Sequence, residues 1–373
     1  MKIAIDGRFY GLEHAGLGRY TMNLIDQLQK LDNKNLYFIL LRKKYFNTLN
    51  FQKKWRKVLC DTTHYSFAEQ FKLPRLIRKI NPDIYHALSI NYPVLYKGKT
   101  VVTLHDLTQL SYTIKATTLP EPLYLIKHFG LKYVVKKATK NANSVLVPSK
   151  AVGRDLIDIH NVKKEKLKVI YEGVSISANN NSALNIPDKY SFHNKYFLYI
   201  GNAYPHKNLD RLIEAMKLIN QKRKKNVLLI IGGSRDIFKK QLDKKIKQSL
   251  MDKYIKTVGY IPDEYMKYVY ENSIGFVYPS LAEGFGLQGI EAMKAGTLLL
   301  ASNIPVFKEI YKENALYFNP YDFSEIANTL ELAITMSEIE RKKAIEKARK
   351  FSERYSWKKM AEKTLEVYRS SVK

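Results

Sequence analysis

The sequence predicts an α/β protein made of two doubly wound, mainly parallel sheets. Three observations support this. The chain has 373 residues, enough for two domains with sizeable cores. Short runs rich in β-branched and aromatic residues alternate with helix-period segments from end to end. The alternation also falls into two blocks, divided by an uncharged Ser/Asn-rich stretch at 173–187, "GVSISANNNSALNIP", bounded by Gly173 and Pro187.

The first block opens with "KIAI". A glycine-bearing loop follows (6–20), and "TMNLIDQLQKL" (21–31) then carries apolar residues at helical spacing. "LYFILL" (36–41), "TVVTL" (100–104), "SVLVPS" (144–149) and "LKVI" (167–170) read as further buried strands. The second block begins with "YFLYIG" (196–201) and a helix from about Leu209. "NVLLIIGG" (226–233) follows, with a helix through "FKKQLDKKIKQSL". The strand runs "IKTVGY" (255–260), "SIGFVYPS" (273–280), "TLLLAS" (297–302) and "ALYF" (315–318) complete it, with a helix after Gly286. From about Phe323 the tail reads as helical. The expected domains are therefore 1–172 and 188–356, with 173–187 as linker.

Composition narrows the function classes. A chain that is 45% hydrophobic and 12% aromatic is expected to fold. One cysteine, Cys60, leaves no internal disulfide and fits a reducing compartment. The opening apolar run is too short and too soon charged for a secretory signal. No uncharged apolar run reaches about 18 residues, the length a spanning helix needs. A cytoplasmic location is expected.

The net charge is +28, of which residues 1–190 carry +17. Residues 41–60 hold seven cations and no acid, interleaved with Tyr45, Phe46, Phe51 and Trp55. Three readings compete: a solvated basic face, attraction to an anionic leaflet at about 1 kcal/mol per cation, or nucleic-acid binding. The aromatic interleaving favours an interfacial surface.

In doubly wound sheets, ligands sit beyond the carboxyl ends of the strands. Four stretches stand there. "DGRFYGLEHAGLGRY" (6–20) offers Gly16 and Gly18, where a backbone can approach a ligand before a helix N-terminus. "TLHDL" (103–107) ends a strand with His105, an acid/base or a hydroxyl donor by type. "GNAYPHKN" (201–208) presents Lys207, with His206 beside it, to a phosphate. "EGFGLQGIEA" (283–292) brackets a glycine turn with Glu283 and Glu291. The amides of Phe285, Gly286 and Leu287 form a cup for phosphate, and the carboxylates suit hydroxyls. Two carboxylates around one phosphate cup suggest a nucleoside diphosphate sugar. Each stretch also has a plainer reading, as connection, structural histidine or exposed turn lysine.

With these residues in order, the chain resembles the retaining, GT-B-fold glycosyltransferases of glycosyltransferase family 4 (group 1). It most resembles the bacterial mannosyl- and glucosyltransferases of surface-polysaccharide assembly. "AGLGRY" (15–20), "TLHDL", "VPS" (147–149), "GNAYPHKNLDRLIEA" (201–215), "VGYIPDEYM" (258–266) and "YPSLAEGFGLQGIEAMKAG" (278–296) carry the resemblance over nearly the whole chain. It implies two Rossmann-like domains facing across a cleft, with the final helix, 357–373, packing back on the N-terminal one. It also implies roles. Gly16 and Gly18 would line the donor phosphates, and Lys207 would neutralise the pyrophosphate with His206 beside it. Glu291 would hold the ribose, Glu283 the hexose, and His105 would donate to a sugar hydroxyl.

The implied partners are a nucleotide sugar such as GDP-mannose or UDP-glucose and a glycan or lipid-linked glycan acceptor. Residues 41–57 point further to an anionic membrane surface, on the inner face of the cytoplasmic membrane, as a partner. No cofactor, essential metal or nucleic acid is expected. In matching positions many family members have Arg for His206, Pro for Gln288 and Asn for Glu172. An epimerase or phosphorylase of the same fold, or a non-catalytic basic protein binding membrane or nucleic acid, are the alternatives.

Overall fold

A computed structural model of the chain describes residues 1–111, 121–176, 185–192, 195–233 and 236–372. It divides into an N-terminal unit, Met1–Gly173 with Tyr355–Lys373, and a C-terminal unit, Val174–Arg354. Most of the uncharged stretch, 177–184, lies outside the described residues, as does residue 373 of the final helix.

The N-terminal unit contains strands β1 (Lys2–Asp6), β2 (Leu36–Leu41), β3 (Trp55–Leu59), β4 (Ile84–Ala87), β5 (Thr100–Thr103), β6 (Ser144–Val147) and β7 (Leu167–Val169). Its helices are α1 (Ala15–Leu31), α2 (Lys43–Thr48), α3 (Phe67–Ile80), α4 (Thr108–Ser111), α5 (Glu121–Asn141) and α6 (Lys150–Asp158). The C-terminal unit contains β8 (Tyr196–Ile200), β9 (Leu228–Gly232), β10 (Ile255–Gly259), β11 (Gly275–Tyr278), β12 (Leu299–Ser302) and β13 (Leu316–Phe318). It also holds α7 (Leu209–Lys217), α8 (Asp236–Gln248), α9 (Asp263–Glu271), α10 (Leu287–Ala295), α11 (Pro305–Tyr311), α12 (Phe323–Thr335) and α13 (Glu338–Ser352). The last helix, α14 (Trp357–Val372), belongs to the N-terminal unit and packs on α1.

Among the described residues every strand pairing is parallel, in the orders β3-β2-β1-β4-β5-β6-β7 and β10-β9-β8-β11-β12-β13. Both orders reverse direction once, between β1 and β4 and between β8 and β11, which defines a topological switch point in each sheet. Central strands such as β4, β5, β6 and β11 are buried along their length, because helices cover both faces of a parallel sheet. The edge strands β3, β7 and β10 carry exposed cations, Arg56, Lys168 and Lys256.

One core lies under α3, α5 and α6, where Leu73, Ile77, Val135, Ala138, Val152 and Leu156 meet Tyr85, Val102 and Val145 of the sheet. The C-terminal core is formed by Leu212 and Met216 of α7 and Leu242 and Ile246 of α8 against Phe197, Leu229 and Ile231.

On the opposite face of the N-terminal sheet, a polar chain ties α14 to the strands. His86 of β4 pairs through Nδ1 with the Tyr368 hydroxyl (2.6 Å) and through Nε2 with Thr103 Oγ1 (2.8 Å). Burial, with His105 nearby, pushes the His86 pKa down to about 3. The unfolded chain takes up a proton near pH 6.5 that the folded chain refuses, so stability is full above that pH and falls as pH drops toward 3. Between pH 7 and pH 5 the wild type is expected to lose on the order of 2 kcal/mol through this residue. Thermal melts across that range should show a flatter slope for His86→Gln, and an unchanged slope would refute the assignment.

Gly16 and Gly18 lie inside α1, not in the loop expected for them. The helix starts six residues earlier than the apolar period indicated. A side chain at Gly18 would meet the Gly11 carbonyl oxygen at 1.9 Å, so this glycine lets α1 close on the preceding turn, whereas Gly16 has open space around it. The turn itself is pinned by Arg8, fully buried, which binds Asp6 through two bonds (2.7 and 2.6 Å) and Glu69 of α3 (2.7 Å).

Candidate active site

The C-terminal switch point carries the densest functional geometry. After β8 the chain turns through Gly201 and Pro205–Lys207, and Asn208 adopts a left-handed conformation (φ 61°) before α7. Asn208 Nδ2 donates to the carbonyls of Pro279 (3.0 Å) and Pro320 (2.7 Å), and Leu281 N donates to the His206 carbonyl (2.7 Å). The turns after β8 and β11 are therefore stitched together. This explains why a Pro-His-Lys-Asn turn and a Pro-Ser strand end occur in one chain.

That stitching places Lys207 Nζ 2.5 Å from Glu283 Oε1, with both side chains largely buried. Ser280 Oγ donates to the same oxygen at 2.8 Å. The family resemblance implies separate roles for Lys207 on phosphate and Glu283 on hexose; the structure joins them in one ion pair. Tyr278 lies beneath, its ring 5.9 Å from Lys207 Nζ. Burial, and next the Glu283 carboxylate, raises the Tyr278 pKa well above its ordinary value, so its hydroxyl stays a donor. It donates to Gln288 Oε1 at 2.8 Å, a bond proline at that position would lack.

Gly286 holds φ 86°, a left-handed conformation that favours glycine, and starts α10. Its carbonyl accepts from the Tyr311 hydroxyl at 2.6 Å, and a Cβ at this position would lie 2.1 Å from that hydroxyl. Phe285 and Leu287 are buried and anchor the turn. The amides of Leu287 and Gln288 precede the first bond of α10, from Gly289 N to the Gly286 carbonyl (3.1 Å), and face an anion's preferred position. Glu291 lies one turn into α10 and is 8% exposed. An ammonium, a carboxylate and a helix N-terminus thus converge at one sheet end. Such a set can bind phosphate and hydroxyls side by side.

The remaining predicted residues lie in the N-terminal unit. His105 follows β5, and both of its ring nitrogens are engaged, Nδ1 with Glu172 Oε1 and Nε2 with the Leu88 carbonyl, each at 3.0 Å. A hydroxyl donor role for His105 would require giving up one of these bonds. Sequence reasoning missed Glu172 as its partner, since 67 positions separate them. It also missed Ser280, Tyr278 and Tyr311, which seat the site. Among the described residues no group of three His, Cys, Asp or Glu is placed to hold a metal ion, and no helix is long and apolar enough to cross a membrane.

The family described as "Glycosyltransferase Family 4" matches residues 14–178, and the one described as "Glycosyl transferases group 1" matches residues 185–351. The chain belongs to these glycosyltransferases and has the GT-B fold. Among its relatives is the O-antigen chain mannosyltransferase RfbU of Salmonella typhimurium, 29% identical over 69% of this chain and 67% of that protein. The O-antigen chain mannosyltransferase B of Escherichia coli is 26% identical over 79% and 76%.

Two solved structures share the fold. Sucrose-phosphate synthase from Thermosynechococcus elongatus has a TM-score of 0.76 at 19% identity, over 99% of this chain and 98% of the other. Anabaena Alr3699/HepE in complex with UDP and glucose has a TM-score of 0.72 at 19% identity, over 99% and 100%.

Proposed function

We propose that this glycosyltransferase moves a hexose, mannose before glucose, from a nucleotide diphosphate sugar to a glycan or lipid-linked glycan of a cell-surface polysaccharide. The carrying observation is the Lys207–Glu283 pair at the C-terminal switch point, beside the N-terminus of α10. The mannosyltransferase relatives favour mannose, and GDP-mannose is the first donor in this reading. The likeness to a protein solved with UDP and glucose keeps UDP-glucose as the second donor.

In this reading the amides at the start of α10 and the Lys207 ammonium hold the pyrophosphate. Glu291 accepts from the ribose hydroxyls, and Glu283 accepts from the hexose. The acceptor hydroxyl oxygen bonds to the anomeric carbon as the bond to the pyrophosphate oxygen breaks. The leaving phosphate keeps the bonding electron pair and takes the acceptor proton, all on one face of the sugar. The products are the glycoside, with retained configuration, and the nucleoside diphosphate. Lys207 stabilises the charge that grows on the leaving group, so no metal ion is needed. The enzyme works as a peripheral protein at the inner, anionic leaflet, where a lipid-linked acceptor is found.

Incubation with a panel of nucleotide sugars should give transfer from GDP-mannose with an axial anomeric linkage by NMR, unaffected by a chelator. Release of no nucleoside diphosphate from any donor, or formation of an epimer of the donor in place of a glycoside, would overturn the reading.

A further inference from the structure

The aromatic residues of 41–60 do not form the interfacial surface their sequence suggests. Trp55 is buried and stacked on Tyr37 (4.1 Å), Phe46 and Phe51 are half-buried, and Lys57 Nζ is spent on the Phe46 and Leu49 carbonyls. Exposed apolar side chains gather instead on α5 and α3. On α5, Ile126 (63% exposed), Phe129 (64%) and Tyr133 (53%) share a face with exposed Lys132 and Lys136. His128, Val135 and Ala138 occupy the opposite, buried face of that helix. A helix apolar on both faces is normally enclosed, yet α5 leaves one of them open.

On α3, Phe67 (84%) and Phe71 (54%) stand one turn apart beside exposed Lys72 and Arg75. The crossovers β3–α3–β4 and β5–α5–β6 run in the same direction across the sheet. Right-handed connections therefore put both helices on the same face, and their inner sides share one core. The only acid in α3, Glu69, is buried, and the only one in α5, Glu121, is its first residue.

We infer that this face, α3 with α5, docks the N-terminal unit onto an anionic lipid bilayer. Phe67, Phe71, Ile126 and Phe129 enter the acyl boundary while the lysines meet the headgroups. A phosphate-bearing polymer would be served by the cations alone; the isoleucine and phenylalanines fit a bilayer interface. The inference rests on the reading that the acceptor is carried by a lipid.

The test is co-sedimentation of the full chain with vesicles of phosphatidylglycerol and phosphatidylcholine, and of phosphatidylcholine alone, with no acceptor present. Binding is expected to the anionic vesicles and to weaken with salt. The pair Ile126→Ser with Phe129→Ser should lower it at least about tenfold. The pair Lys132→Ser with Lys136→Ser should lower it roughly tenfold to thirtyfold. Wild-type-like binding by either double variant, or equal wild-type binding to both vesicles, overturns the inference. So does a lysine variant that loses a short DNA duplex but keeps the vesicles. Transfer to a lipid-free glycan should be unchanged in both double variants. If the enzyme docks on vesicles yet accepts only lipid-free glycans, the acceptor reading fails and the docking face stands.

Discussion

Replacing Lys207 by alanine is expected to slow sugar transfer by about 10²–10³-fold, the usual cost of removing one preorganised donor to a developing anion. The loss should fall mainly on kcat, because the leaving group gains charge only as its bond breaks. The fold should persist. Pro205 and Asn208 shape the turn, and Glu283 keeps its bond from Ser280. Lys207→Arg should recover only part of the rate, since a planar guanidinium cannot reproduce an ammonium held 2.5 Å from a carboxylate in a tight turn. Steady-state release of nucleoside diphosphate, with circular dichroism as the folding control, checks this; a loss below about threefold would remove Lys207 from the site.

The second large effect separates the two glutamates. Glu283→Gln keeps the shape and the Ser280 bond but leaves Lys207 without a countercharge, and is expected to cost about 10²-fold in turnover. Affinity for the nucleoside diphosphate alone should not fall, because Glu283 is assigned to the hexose and Lys207 keeps its charge for the pyrophosphate. Glu291→Gln should do the opposite. It weakens nucleoside diphosphate binding by roughly 10–100-fold, as expected for a hydrogen bond to a charged group. Calorimetry on both variants with the nucleoside diphosphate measures the split, and equal losses would dissolve the separate roles.

The central strands and the carboxyl-end positions of the site were legible because buried parallel strands leave long apolar runs and the residues after them bear the chemistry. Two strands were not. β3, "WRKVL", is an edge strand with one buried aromatic among cations, so it reads as basic surface. β4, "IYHA", spans only four residues, and its buried histidine breaks an already short apolar run. The start of α1 was missed because glycine is a poor helix former, yet Gly18 is required there by contact with Gly11.

Side-chain partnerships were the least legible. Glu172 meets His105 and Tyr311 meets Gly286 across long sequence separations, and only the sheet order brings them together. Likewise, aromatic interleaving in 41–60 could not reveal which rings face inward, since β3 turns Trp55 onto Tyr37.

The most direct measurement is a crystal structure of the protein with a non-hydrolysable nucleotide diphosphate sugar. The pyrophosphate is expected against the amides of Leu287 and Gln288, Lys207 Nζ in contact with a phosphate oxygen, and Glu283 and Glu291 on hydroxyls of the two sugars. A ligand bound away from the turn after β11, with Glu283 and Glu291 touching none of it, would rule out this site.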